Sequence, residues 1–196
     1  CILLTRKRKK GPCMTGKEIS ENVIKNCKQG DRAAQRELYN ALAAKMFAVC
    51  IRYMGDRDAA EDILQDGFVT LFSKIKSYSG QGSFEGWARR VFMNTALMEL
   101  RKKDAISMSE DLDSIRDMED CDIPSQLEDI GYAELLKMIT SLPTGYRTVF
   151  NMYVIEGYSH NEISEALGIS PVTSRSQLQR ARVMLQEKIN MKRHGR

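Results

Sequence analysis

Between Ser159 and Arg182 the chain reads SHNEISEALGISPVTSRSQLQRAR. No other stretch leaves so little choice of local structure. Ser159 and Glu162 form the S-x-x-E pattern of a capping box, which opens a short helix. Ile163 and Leu167 supply its inward face, and Gly168 ends it in a turn. Ser170 caps a second helix with Pro171 at its first position, where the missing N–H costs nothing. Along that helix Ser174, Leu178, Ala181, Leu185 and Ile189 recur at three- and four-residue spacing and are expected to face inward. Thr173, Arg175, Ser176, Gln177, Gln179 and Arg180 are left towards solvent. Two helices on a three-residue turn, the second basic and hydroxyl-rich, is the helix-turn-helix arrangement that lays a helix in the DNA major groove. An ordinary αα-hairpin with a solvated polar face has the same pattern, so this stretch alone leaves both readings open.

The rest of the chain keeps the same period. Residues 18–29 read as a helix with Ile19, Val23 and Cys27 on one face, closed by Gly30. Asp31 caps the next, whose stripe of Leu38, Leu42, Met46, Val49, Cys50 and Tyr53 runs until Gly55. Asp56 caps a third helix, about 57–75, with Ala60, Ile63, Leu64, Gly67, Phe68, Leu71, Phe72 and Ile75 at helical period. Its opposite side carries Glu61, Asp62, Gln65, Asp66 and Thr70, a face that reads by itself as solvated. Tyr78 to Ser83 (YSGQGS) is a loop by its glycines and serines. Ser83 starts a fourth helix to about Lys103, apolar at Trp87, Val91, Phe92, Thr95 and Ala96, and polar or basic at Arg89, Arg90, Asn94, Arg101, Lys102 and Lys103. A loop flanked by aromatics beside a basic helix is a platform for unstacked bases, although the aromatics taken alone read as core rather than platform. Residues 104–127 are rich in Asp, Glu and Ser, lose the period and contain Pro124, as a tethering linker does. Helices resume from about Gln126, with Leu135, Leu136, Ile139 and Leu142 before Pro143, then Tyr146, Val149, Phe150, Tyr153 and Val154 up to Gly157. No stretch alternates with period two. The expected fold is all-α, two helical domains joined by an acidic flexible linker: 17–103, then 128–196 as the helix-turn-helix domain.

Charge sharpens the division. The net +4 is spread unevenly: residues 104–140 carry 11 acidic and two basic side chains, whereas 14–103 carry 15 basic and 11 acidic and 141–196 carry eight and four. Two basic blocks around an acidic one suggest two polyanion-contacting domains on a tether. Residues 1–16 look like a basic disordered tail, and Met14 could be a natural start with an upstream extension before it. The longest uninterrupted apolar run, Met46 to Ile51, is too short to span a bilayer, so no membrane insertion is expected; no secretory leader is expected either. Five cysteines without a CxxC pair fit a reduced cytoplasm better than a disulfide framework or zinc site. With two histidines, no P-loop and no dinucleotide fingerprint, no catalytic residue, metal or cofactor is expected, and the chain does not read as an enzyme.

These residues resemble a family. AAEDILQDGFVTLF (59–72), FEGWARRVFMNTALMELRK (84–102), LPTGYRTVFNMYVIEGYSHNEISEALGIS (142–170) and SQLQRAR (176–182), in that order around an acidic linker, are similar to the extracytoplasmic-function sigma factors of bacterial RNA polymerase. The resemblance covers about Ala33 to Ile189. It implies a factor that binds core polymerase and directs promoter-specific initiation. The first domain would be sigma region 2-like and the second region 4-like. Asp62, Gln65 and Asp66 would dock on the clamp helices of the polymerase β′ subunit, reversing the solvated reading of that face. Tyr78, Ser79, Phe84, Arg90, Asn94, Met98 and Arg101 would melt and read the −10 element. Ser170, Thr173, Arg175, Ser176, Gln177, Gln179 and Arg180 would read the −35 duplex. The partners implied are core polymerase (β′ clamp helices and β flap), promoter DNA and an anti-sigma factor, which could hold a cytoplasmic protein at the inner membrane. The chain has Val172, Thr173, Ser174, Arg175 and Gln177 where members often have Gly, Thr, Val, Lys and Arg, so a different base preference is expected. The alternative is a freestanding helix-turn-helix regulator of duplex DNA, which needs neither the acidic face nor a −10-like half.

Overall fold

A computed structural model describes residues 19–102 and 131–194. The expected basic tail and the acidic linker 104–127 lie outside these residues, as do Gln126 and Lys103. Within them every regular element is helical and no strand occurs. The order is α1 (Glu21–Lys28), α2 (Arg32–Met54), α3 (Arg57–Lys74), a 3₁₀ turn (Ile75–Ser77), α4 (Phe84–Lys102), α5 (Tyr132–Thr140), α6 (Thr144–Phe150), a π-helical turn (Asn151–Ile155), α7 (His160–Leu167) and α8 (Pro171–His194).

Asp31, Asp56 and Ser83 open their helices where the sequence puts them, whereas α1 starts at Glu21, later than the expected 18, with Ser20 as its cap. The Ser20 and Asp31 side chains accept from the backbone N–H groups of Val23 and Ala33 to open α1 and α2, and Asp56 accepts from Ala59 N–H to open α3. Ser83 Oγ accepts from Gly86 N–H at 3.1 Å at the head of α4. α2 stops at Gly55, whose φ of 76° is the left-handed value a C-cap glycine supplies. On α1 the buried positions are Ile24 and Cys27, with Ile19 and Val23 only partly covered. The face is therefore turned by one residue from the expected Ile19–Val23–Cys27 stripe.

α1 to α4 pack around Leu38, Leu42, Met46, Tyr53, Leu71, Ile75 and Phe92, all at most 2% exposed; each such aliphatic or aromatic side chain contributes about 1.5–3 kcal/mol by burial. α3 and α4 approach closely at Gly67, where a Cβ would stand 2.3 Å from Phe92 Cδ1. α5 to α8 enclose Ile139, Leu142, Val149, Met152, Ile163, Leu178 and Ala181. Lys192 of α8 pairs with Glu134 of α5. The two groups of helices share one continuous apolar cluster. Cys27 and Cys50 are free and buried, and burial pushes the Cys50 thiol up to about 12, far from reactivity at neutral pH.

The second group departs from the expected plain helices. The apolar period predicts a single helix over Tyr146–Val154; instead α6 ends at Phe150 and widens into the π turn, in which Glu156 N–H bonds to Asn151 O at 3.0 Å. Val154 is left 36% exposed rather than inside.

Candidate nucleic-acid interface

The hairpin α7–α8 is built as its sequence dictates. Ser159 Oγ accepts from Glu162 N–H while the Glu162 carboxylate accepts from Ser159 N–H, closing the capping box. Those bonds to Ser159 hold the Glu162 carboxyl below its ordinary range. Gly168 turns the chain at φ 71°, and Ser164 Oγ ties the turn by donating to Ile169 O at 2.6 Å. Ser170 Oγ then accepts from Thr173 N–H at 2.9 Å and caps α8.

Across the hairpin, His160 Nδ1 and Ser174 Oγ share a hydrogen bond of 2.9 Å, and the imidazole stacks on Tyr153 at 4.5 Å. Burial, then the charges of Arg175 and Arg182, hold the His160 pKa below its ordinary value, so the ring is neutral at pH 7. Ser174 is fully buried. This contact bridges α7 and α8 beside the apolar packing of Ile163, Leu167 and Leu178, and the helical period does not announce it. A histidine at the first position of α7, facing a serine on the inward stripe of α8, was its only signal.

Of the residues expected to face duplex DNA, Arg175 and Ser170 are exposed, and Thr173, Ser176 and Gln179 are partly exposed. Val172 stands 52% exposed among them. Two expectations need correction. Gln177 is 2% exposed; it lies between the inward residues Ser174 and Leu178, and the α8 stripe is wide enough to take it in. Arg180 is turned onto α6, where Nη1 donates to Tyr146 Oη at 3.1 Å and the guanidinium lies over the ring; it braces α8 more than it reaches outward.

In the first group, Asp62, Gln65 and Asp66 are all exposed on α3. Asp62 and Asp66 stand one turn apart, and two like charges at that spacing weaken a helix by about 0.2–0.5 kcal/mol. α4 exposes Arg90, Asn94, Met98 and Arg101. Asp66, Arg90, Asn94 and Met98 line one groove of about 640 Å³ between α3 and α4, with Val69 (71% exposed) on its wall and Met98 at 61%. The acidic and basic faces are thus adjacent strips of one surface.

Ser79 is exposed in the loop, but Tyr78 and Phe84 are 9% and 6% exposed. Their rings meet at 5.1 Å, and both meet Trp87, at 5.6 and 5.4 Å. Tyr78 Oη donates to Gly82 O at 2.7 Å, and Lys28 Nζ donates to Tyr78 O at 2.7 Å. The expectation that these two aromatics offer free stacking faces is therefore corrected: their faces are taken up in holding the loop's shape. Between the core and platform readings of these aromatics, the core reading describes the structure.

Among the described residues no cluster of His, Cys, Asp and Glu could hold a metal ion, and no helix is long and apolar enough to cross a membrane.

Comparison with known proteins agrees with this geometry. Residues 38–106 match Sigma-70 region 2 and residues 132–185 match Sigma-70, region 4. The chain is 27% identical over 178 residues to the ECF RNA polymerase sigma-E factor of Haemophilus influenzae, covering 85% of this chain and 93% of that protein. It is 33% identical over 167 residues to the ECF RNA polymerase sigma factor SigE of Mycolicibacterium smegmatis, covering 81% of this chain and 63% of the relative. A solved structure of the sigma factor RpoE of Bartonella quintana, in complex with the anti-sigma factor NepR, aligns with a TM-score of 0.49 at 21% identity over 79% of this chain and 96% of that one. Two region matches in the right order, on helices that carry an acidic face, a basic groove and a capped hairpin, make this chain a member of the extracytoplasmic-function sigma factors, promoter-recognising subunits of bacterial RNA polymerase.

Proposed function

We propose a division of labour among three surfaces of this sigma factor. Asp62, Gln65 and Asp66 of α3 dock on the clamp helices of polymerase β′. Ser79 with Arg90, Asn94, Met98 and Arg101 of α4 holds the melted −10 strand, with Tyr78 and Phe84 shaping the loop rather than stacking on bases. The exposed N-terminal turns of α8, at Ser170, Thr173, Arg175 and Ser176, read the −35 duplex, with Gln179 beside them. The β flap would bear on the second domain, 128–196, and the linker 104–127 would tether it to the first, 17–103. An anti-sigma factor completes the partners in the cytoplasm.

The observation that carries this reading is the adjacency of opposite faces across the α3–α4 groove. A duplex reader acting alone has no use for two repelling carboxylates kept exposed beside a basic strip. A factor gripping a protein with one strip and a polyanion with the next has use for both. Short donors on a rigid helix suit a groove about 12 Å wide, whereas a melted strand needs a groove with cations at its edge. Two readers on one tether reinforce each other through effective concentration.

The test is Asp62→Arg with Asp66→Arg. Both positions are solvent-exposed, so the fold is expected to persist by circular dichroism while affinity for purified core polymerase falls at least tenfold. Unchanged co-purification with core would remove α3 as the docking face.

A further inference from the structure

The outward stripe of α8 begins with a side chain to which the −35 reading proposed above gives no task. Val172, Arg175, Ser176 and Gln179 follow one another at three- and four-residue spacing, on the side away from buried Ser174, Leu178 and Ala181. Val172 heads that line at 52% exposed and is the apolar member of the four.

The hydroxyls around it are already engaged within their own turn. Ser170 Oγ accepts from Thr173 N–H at 2.9 Å and shares a hydrogen bond of 2.9 Å with Thr173 Oγ1. Ser176 Oγ donates to Thr173 O at 3.0 Å. These bonds fix the first turn of α8, and with it the Cα of Val172. A valine in a helix keeps essentially one χ1 rotamer. Its two methyl groups therefore point in a set direction and lose little freedom when they are covered.

The N-terminal residues of a recognition helix are the ones that reach base edges. Those edges present donors and acceptors in the major groove, and one apolar group, the 5-methyl of thymine. Pressed on the polar atoms of another edge, Val172 would strip them of water and offer no partner. Pressed on a thymine methyl, it takes apolar surface on both sides out of water. A helix rise of about 1.5 Å per residue puts Val172 about 4.5 Å from Arg175 along the axis, little more than one base step of about 3.4 Å. The thymine therefore adjoins the base pair or phosphate that Arg175 addresses.

We infer that Val172 is a specificity-determining residue of this sigma factor and reads the 5-methyl group of one thymine in the −35 duplex. This rests on the −35 reading of α8 proposed above and adds to it the base that the first turn selects.

The test removes the methyl group alone. Duplexes are selected by core polymerase with the full chain, and separately by the full chain without core. Each thymine of the enriched upstream element is then replaced by deoxyuridine, which pairs as thymine does and lacks only the methyl. For the wild type, one such replacement is expected to weaken binding about fourfold, the worth of one buried methyl group. Val172→Ala is expected to bind the intact element more weakly by a similar factor, and the replacement then to cost less than about twofold. Val172→Ile keeps the apolar reach and is expected to keep the full discrimination. Alanine is the better helix former at this exposed position, so the Val172→Ala hairpin is expected to stay folded by circular dichroism.

A methyl dependence that persists unchanged in Val172→Ala would assign it to DNA shape or to another side chain and overturn the inference. An element in which no thymine replacement is felt would overturn it too. Enrichment only in the selection without core would overturn the polymerase-dependent function instead, and the deoxyuridine series would still decide Val172. Enrichment of no duplex in either selection would overturn the −35 reading and the role of Val172 with it.

Discussion

Gly67 is where one methyl group decides whether α3 and α4 can lie as close as the groove between them requires. An alanine Cβ at this position would sit 2.3 Å from Phe92 Cδ1 and 2.4 Å from Cε1, more than 1 Å inside ordinary carbon contact. The ring cannot swing aside. Phe92 is fully buried and meets Phe68 edge-on at 5.0 Å. Against this, alanine gains up to about 1 kcal/mol of helix propensity over glycine, while overpacking a filled core costs about 1–3 kcal/mol. The clash is severe and the ring is trapped, so the cost lies at the upper end and Gly67→Ala should lose about 1–2 kcal/mol. At about 2–4 °C per kcal/mol for a chain of this size, the melting midpoint falls by roughly 2–8 °C. Urea titration should show a lower midpoint at an unchanged slope. Gly86→Ala is the control: its Cβ would meet only Ser83 atoms, at 3.8 and 3.9 Å, and the same substitution should there be neutral or stabilising. If Gly67→Ala were as stable as Gly86→Ala, the close crossing of α3 and α4 would be refuted.

The hairpin supplies three further expected outcomes. Arg175→Ala should weaken −35 duplex binding by about 1–3 kcal/mol if the guanidinium reads a base edge; an equal loss on every sequence with a smaller salt slope would assign it to phosphate. Because the folded His160 resists a proton that the unfolded ring takes near pH 6.5, stability should fall as pH drops from about 6.5 through the lowered folded pKa and level off below it. His160→Gln, measured by urea titration across that range, should flatten this dependence, and an unchanged profile would exclude His160 as its source. Ser159→Ala removes the side-chain half of the capping box and should cost about 1 kcal/mol, read as a lower urea midpoint; no change would show that the box adds nothing to the hairpin.

Much of this was legible in the residues because helix ends are written locally. Asp31, Asp56, Ser159 and Ser170 cap the helices that begin beside them, and Gly55 and Gly168 turn where the period stops. The inward stripe Ser174–Leu178–Ala181–Leu185–Ile189 is buried as its spacing requires. What escaped is what depends on partners remote in sequence. Period alone cannot distinguish a π turn from an α-helix over five residues, so Asn151 and Glu156 had no visible purpose. An arginine reads as surface, yet Arg147 is buried because α2 ends with open carbonyls 93 and 94 residues earlier. Its spacing from Phe150 and Asn151, three and four residues on, was the one hint that it shares their inward face. Tyr78 and Phe84 were drawn outward by the resemblance, although their own apolar chemistry favoured the cluster they form with Trp87.

This chain confers promoter choice on a polymerase that lacks it. Run-off transcription with purified core, on templates selected for binding by core with this protein, tests it directly. A discrete promoter-specific product is expected only when the protein is present, lost with Asp62→Arg and Asp66→Arg and reduced with Arg175→Ala. No gain in specific product over core alone, on any selected template, would contradict it.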